Sequence, residues 1–129
     1  MLIPEPKIYN QISDNCTPVR SCIYTEKEEW KKYLDVFCRS FEKINEGSTV
    51  VIEKGGIELV CSSEIRADGY KIDTTDGIKI YASTDEGILY GLASALQIVT
   101  EKNGMLVAPE VKIEDYPDKE YRGLIKYSA

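Results

Sequence analysis

Apolar positions recur every three or four residues in two stretches of the chain and every second residue in several others, a pattern that predicts two helices and a sheet. In the first stretch Trp30, Tyr33, Leu34, Phe37, Phe41 and Ile44 share one stripe, with Lys31, Lys32, Asp35 and Arg39 turned outward, on a helix running to about Lys43. Thr25-Glu26-Lys27-Glu28 has the form of a capping box, in which the Thr25 hydroxyl accepts the Glu28 N–H, so the helix is expected to start there. Asn45 to Gly47 supplies residues that tolerate a left-handed helix end. The second stripe, Ile88, Leu89, Leu92, Leu96 and Val99, follows another capping box at Ser83-Thr84-Asp85-Glu86 and is expected to end near Lys102, before Asn103-Gly104. Gly91 and Ala95 lie one turn apart within it. Small residues at that spacing let a helix approach a sheet closely, which accounts for an otherwise costly mid-helix glycine.

The alternating stretches predict strands. Residues 7–12 and 19–24 read as two short extended pieces, with Ser13-Asp14-Asn15 and Pro18 marking a turn between them. Residues 49–53 form an apolar, β-branched run expected to be a buried strand. Gly55-Gly56 then breaks the chain before residues 57–61 continue extended. Tyr70, Ile72 and Thr74 alternate with polar residues, Asp76-Gly77 supplies a turn, and Ile78, Ile80 and Ala82 alternate again, which is a β-hairpin. Residues 107–113 give a last strand or two, interrupted at Pro109. The order ββ-α-ββ(β)-α-β predicts an α+β fold: a mixed or antiparallel sheet with two helices packed on one face.

Composition narrows the chemistry. The 129 residues include no histidine. Ser-His-Asp and Cys-His nucleophile systems, histidine bases and every zinc site with a His ligand are therefore excluded within this chain. One domain is the natural expectation at this length, and it can bury roughly two-thirds of its unfolded surface. A net charge of −6 argues against nucleic acid as a partner. Residues 1–25 hold neither a signal-peptide core nor a membrane span, which leaves open a secreted, periplasmic or cytoplasmic parent. No phosphate-cradling glycine motif is present, and no cofactor is expected.

Cys16, Cys22, Cys38 and Cys61 contain no C-x-x-C pair, so a metal site is not expected. Cys38 and Cys61 read as small packed hydrophobes, with a Cys16–Cys22 disulfide as a minor alternative in an oxidising compartment. The acidic clusters Glu28-Glu29, Asp85-Glu86 and Glu114-Asp115 read as solvated or capping groups, Asp85 and Glu86 being favoured at a helix start by the macrodipole. No residue is assigned a catalytic, cofactor-binding or metal-binding role.

The stretch from Gly69 to Gly123 carries a resemblance. It runs G-Y-K-I-D, then D-G-I-K-I-Y-A-S-T-D-E-G-I-L-Y-G-L-A-S-A-L-Q-I-V, then V-K-I-E-D-Y-P and Y-R-G. This order resembles the small zincin-like domain that precedes the catalytic barrel in β-N-acetylhexosaminidases of glycoside hydrolase family 20, and in related families such as family 84. Leu2-Ile3-Pro4-Glu5-Pro6-Lys7 is similar to the start of that domain.

The resemblance implies an accessory domain over residues 1–116, an exit turn at Asp115-Tyr116-Pro117, and residues 117–129 leading into the first strand of a (β/α)₈ barrel. Arg122 and Gly123 match the start of the family 20 segment R-G-x-x-x-D-x-x-R, whereas Tyr127 stands where that segment has Asp. Lys126 and Tyr127 likewise depart from the family 84 pattern R-G-x-x-E-G. The catalytic carboxylates would belong to the barrel, so the expected role is non-catalytic: packing against the barrel of the same parent chain and stabilising it. The alternative is a carbohydrate-binding module that holds glycan on exposed tyrosines such as Tyr9, Tyr24 or Tyr81.

Overall fold

The computed structural model describes residues 8–75, 77–102 and 104–115, with side chains from residue 18 onward. Its elements are β1 (Ile8–Arg20), β2 (Cys22–Thr25), α1 (Lys31–Ile44), β3 (Val51–Ile52), β4 (Ile57–Cys61), β5 (Tyr70–Asp73), β6 (Ile78–Ala82), α2 (Asp85–Ile98), β7 (Thr100–Lys102) and β8 (Met105–Asp115). All eight strands join one sheet in the order β1-β8-β5-β6-β4-β2-β3, with β7 added on β8. The β4–β6, β2–β4 and β2–β3 pairs are parallel. The β1–β8, β5–β8, β5–β6 and β7–β8 pairs are antiparallel. The sheet is thus mixed, and with the two helices it gives the expected α+β class.

Alternation along the strands sets the two faces. Ile57 and Leu59 on β4, Tyr70 and Ile72 on β5, and Ile78, Ile80 and Ala82 on β6 are buried, while the residues between them are half-buried on the opposite side. The helices cover the buried face. Leu34, Phe37, Cys38 and Phe41 form the inward stripe of α1, with the Phe37 and Phe41 rings stacked at 5.9 Å. Ile88, Gly91, Leu92 and Ala95 do the same for α2. Each fully buried Leu, Ile or Phe contributes roughly 1.5–3 kcal/mol relative to exposure. At Gly91 a Cβ would stand 2.6 Å from Ile80 Cγ2, so the helix reaches β6 at a distance only glycine permits.

Several boundaries differ from the sequence expectation, each for a local reason. The two short N-terminal pieces are one strand, β1, which pairs with β8 across a register shift between Gln11 and Cys16. The turn residues Ser13-Asp14-Asn15 fall within that irregularity, and a bulge absorbs them without ending the strand. The helix does not start at Thr25. Thr25 is the fully buried last residue of β2, and its hydroxyl donates to the Leu59 carbonyl (3.1 Å) and accepts the Lys27 N–H (3.2 Å). A single 3-10 turn, Glu28–Trp30, therefore precedes α1.

Ile44, expected on the buried stripe, is 63% exposed at the last position of α1, and Leu89 is 44% exposed on α2. The run at residues 49–53 supplies only the two-residue edge strand β3, with Val51 and Ile52 exposed and Val50 buried beside it. Between β3 and β4 the chain crosses the backbone of residues 20–22 so tightly that a Cβ on Gly56 would collide with the Arg20 and Cys22 carbonyl oxygens.

Helix α2 begins one residue later than expected, at a cap formed by Thr84, whose side chain accepts the Gly87 N–H (3.2 Å). It ends at Ile98. Residues 100–102, expected as its last turn, are instead strand β7, which folds back on Met105–Val107 through Gly104. Nor does Pro109 interrupt β8. The Thr74 hydroxyl donates to Pro109 O (2.6 Å) and accepts the Val111 N–H (2.8 Å), supplying the hydrogen bonds the ladder lacks there. Asp76, Asn103, Tyr9 and Cys16 as side chains, the exit turn at Tyr116-Pro117, and the Arg122-Gly123 match lie outside what the structure describes.

Candidate functional site

With no catalytic residue assigned, the functional question is which surface faces a partner. Two surfaces are available, the open side of the sheet and the outer side of the helical layer.

The open side of the sheet is a charge ladder. Reading across β8, β5, β6, β4 and β2, one row places Lys112, Asp73, Lys79, Glu58 and Tyr24 in register. The next row is Glu114, Lys71, Tyr81 and Val60. Signs alternate along the charged part of both rows, so neighbouring charges attract across strands and the face is electrically balanced. Asp73 is held below the ordinary carboxylate range against some burial: Thr75 donates to Oδ1 through its N–H (2.9 Å) and its hydroxyl (2.6 Å), with Lys112 and Lys71 nearby.

Of the tyrosines considered for glycan stacking, Tyr24 and Tyr81 sit on this face, partly covered. Lys54 Nζ lies 5.1 Å from the Tyr24 ring centroid and Lys71 Nζ 5.9 Å from that of Tyr81. Trp30 is fully buried and lends no platform.

The helical layer is pinned at the N-terminal ends of its helices. Trp30 Nε1–H donates to Asp85 Oδ1 (2.9 Å) and the Tyr33 hydroxyl donates to Asp85 Oδ2 (2.8 Å). These bonds hold the Asp85 carboxyl below its ordinary range, and the same contact raises the Tyr33 hydroxyl above its own. Asp85, expected only to favour the dipole of α2, is therefore also the link between the helices. Nothing in its spacing from Trp30, 55 positions away, signals this.

Beyond that link the outer side of the layer carries exposed apolar groups. Val36 (50% exposed) and Ile44 lie on α1, and Leu89 and Tyr90 on α2. The remaining acidic residues are ordinary: Glu28 pairs with Lys31 (3.0 Å) and Glu29 with Lys27 (3.4 Å) at the surface.

Among the described residues no three His, Cys, Asp or Glu side chains are grouped to hold a metal, and no helix is long and apolar enough to cross a membrane. Cys22 is a buried free thiol that donates to the Lys54 carbonyl (3.5 Å), while the side chain of Cys16, its partner in the minor disulfide alternative, lies outside the described residues. Cys38 is buried on α1 as expected, whereas Cys61, expected to be packed, is exposed at the end of β4.

A known family matches nearly the whole chain. The model of glycosyl hydrolase family 20, domain 2, covers residues 2–116. The chain belongs to this family. In family 20 this is the non-catalytic N-terminal domain of β-N-acetylhexosaminidases.

Solved structures share the fold of this family 20 domain. A GH20 exo-β-N-acetylglucosaminidase from Vibrio harveyi superposes with a TM-score of 0.76 at 18% identity, over 88% of this chain and 18% of its own. A β-N-acetylhexosaminidase from Bacteroides fragilis gives 0.67 at 25% identity, over 91% and 25%. The GH20 β-N-acetylhexosaminidase from Streptomyces coelicolor gives 0.66 at 19% identity, over 87% and 25%. The chain thus spans a quarter or less of the length of these enzymes.

Proposed function

We propose that the chain is the accessory domain of a β-N-acetylhexosaminidase-like glycoside hydrolase, packing against the catalytic barrel of the same parent chain and stabilising it. Residues 1–116 form the domain in this reading, and residues 117–129 lead into the first barrel strand. The observation that carries it is the family 20 domain match, which runs from residue 2 and stops at residue 116. Within the domain, the helical layer is the side that meets the barrel: it exposes Val36, Ile44, Leu89 and Tyr90, whereas the open sheet face balances its own charges. Chemistry belongs to the barrel, where loops after the strands hold the reacting groups.

The test uses the isolated chain and its parent. The isolated chain is expected to hydrolyse an aryl N-acetylglucosaminide no faster than buffer. Deleting residues 1–116 from the parent is expected to lower its thermal midpoint. Hydrolysis by the isolated chain, or a parent indifferent to the deletion, would overturn the reading.

A further inference from the structure

We propose that Glu42 guards the open edge of the sheet: by holding the Val50 N–H, it keeps a second copy of this chain from adding its own strand to β3. The inference concerns the sheet itself and stands apart from the accessory-domain reading. The last strand of a sheet presents unpaired backbone groups, and an apolar one is a template for another chain. β3 is such a strand. It ends the sheet beyond β2, and both of its residues, Val51 and Ile52, are exposed. Ile44, at the end of α1 beside β3, adds a third exposed apolar group.

The backbone bonds fix which groups this edge offers. The Val51 N–H donates to Ser21 O and the Glu53 N–H to Ile23 O (3.1 Å each), and the Ser21 hydroxyl donates to Thr49 O (2.5 Å). Residues 49, 51 and 53 thus turn polar groups toward residues 21–23. In a parallel ladder the alternate residues, Val50 and Ile52, turn theirs outward. Of these outward N–H groups, that of Val50 is taken by Glu42 Oε2 (3.3 Å), which reaches over from α1. A strand arriving at this edge would have to displace a carboxylate to gain that donor, and the negative charge also opposes its carbonyl oxygens. Glu53 and Lys54, both exposed, place further charge at the far end of β3.

The opposite edge is protected by other means. There β1 interrupts its ladder with the register shift between Gln11 and Cys16, and it carries Pro18. β3 holds neither a proline nor a register shift, so its protection comes from the neighbouring helix. The occupant of an unguarded edge is the β3 of a second copy, paired antiparallel across a twofold axis. That arrangement satisfies the same backbone groups in both copies and covers Val51 and Ile52.

The experiment measures self-association of the 129-residue chain by analytical ultracentrifugation, up to about 0.5 mM, within the range where exposed strand edges associate. The wild-type chain and E42Q, whose amide oxygen still accepts the Val50 N–H, are expected to stay monomeric. E42A is expected to dimerise as concentration rises, and E42A/I52K, which sets a charge on the edge, to return to monomer. D35A removes a carboxylate from α1 two turns away and is expected to stay monomeric. In dilute solution the Val50 amide should exchange about tenfold faster in E42A than in the wild-type chain. A monomeric E42A, a self-associating wild-type chain, E42Q or D35A, or an association that I52K leaves in place, would overturn the guard. Should E42A not fold, the wild-type amide decides: a Val50 N–H exchanging like an unprotected amide overturns the proposal, and protection that E42Q retains supports it.

Discussion

The indole N–H of Trp30 donates to Asp85 across 55 positions of sequence, closing the N-terminal ends of the two helices onto each other. Trp30 is fully buried in the turn before α1, and Asp85 is the first residue of α2. The carboxylate meets three needs at once: it accepts the buried indole N–H, accepts the Tyr33 hydroxyl, and places negative charge at a helix start. One side chain thus couples the two halves of the surface that the proposed barrel contact requires.

Because its hydrogen bonds lower the Asp85 pKa, the stability from Asp85 is fully present above the unfolded value of about 4 and is lost as pH falls through the lower folded value. Asp85→Ala is expected to lower the urea midpoint at pH 7 and to flatten this acid limb of the stability profile. Trp30→Phe, which removes the donor and part of the buried ring, is expected to cost about 1–3 kcal/mol. Equilibrium unfolding at several pH values measures both. An unchanged acid limb in the Asp85 variant would count against the link.

Gly91→Ala inverts a common rule. Replacing a mid-helix glycine by alanine ordinarily gains up to about 1 kcal/mol. Here the new methyl would meet Ile80 Cγ2 at 2.6 Å and Tyr70 Cβ at 3.3 Å, both in the core. The expected outcome is a loss of about 1–3 kcal/mol, through overpacking between α2 and the sheet. Chemical denaturation checks the sign, and a stabilised variant would mean that the helix stands further from β6.

The same positions show what was legible in the sequence. Apolar periodicity located both helices, the hairpin of β5 and β6, and the close approach at Gly91, because burial on one face imposes periods of 3.6 and 2. It did not fix the ends. Thr25-x-x-Glu28 has the capping-box form, yet the Thr25 hydroxyl is held by Leu59 O on a strand 34 positions away. Residues 100–102 and Pro109 were misread for the same reason, since pairing with β8 and the Thr74 hydroxyl decide those places from outside the local window. The exposed apolar side of the helical layer was the least legible feature. Ile44 and Leu89 look like core residues in sequence, and only the packed layer shows which side they take.

The thiols are expected to differ in reactivity. Burial pushes the Cys38 thiol up to about 11, with Glu42 and Asp35 adding to the shift, and the Cys22 thiol is also raised, chiefly by burial. Cys61 is exposed. Under native conditions at pH 8, a maleimide reagent followed by peptide mass spectrometry should label Cys61 first, with Cys22 and Cys38 labelled only after denaturant is added. Labelling of Cys38 at the rate of Cys61 would contradict the packing of α1.

Thr74 tests why β8 survives a proline. Proline has no N–H to give a ladder and ordinarily marks an edge or a break. In this sheet β8 continues from Met105 to Asp115 with Pro109 inside it, opposite Cys16 at the end of the β1 register shift. The Thr74 hydroxyl, fully buried at the end of β5, bonds Pro109 O and the Val111 N–H, and the Thr74 N–H donates to Val111 O (3.1 Å). Thr74→Val keeps the shape and the backbone bond but leaves the Val111 N–H with no side-chain acceptor. A buried group stranded in this way costs about 1–3 kcal/mol, and Thr74→Ser, which restores the hydroxyl, should recover most of it. Amide exchange supplies the local readout: the Val111 N–H should exchange faster in Thr74→Val and near the wild-type rate in Thr74→Ser. Equal protection in both variants would mean that the strand passes Pro109 without help from Thr74.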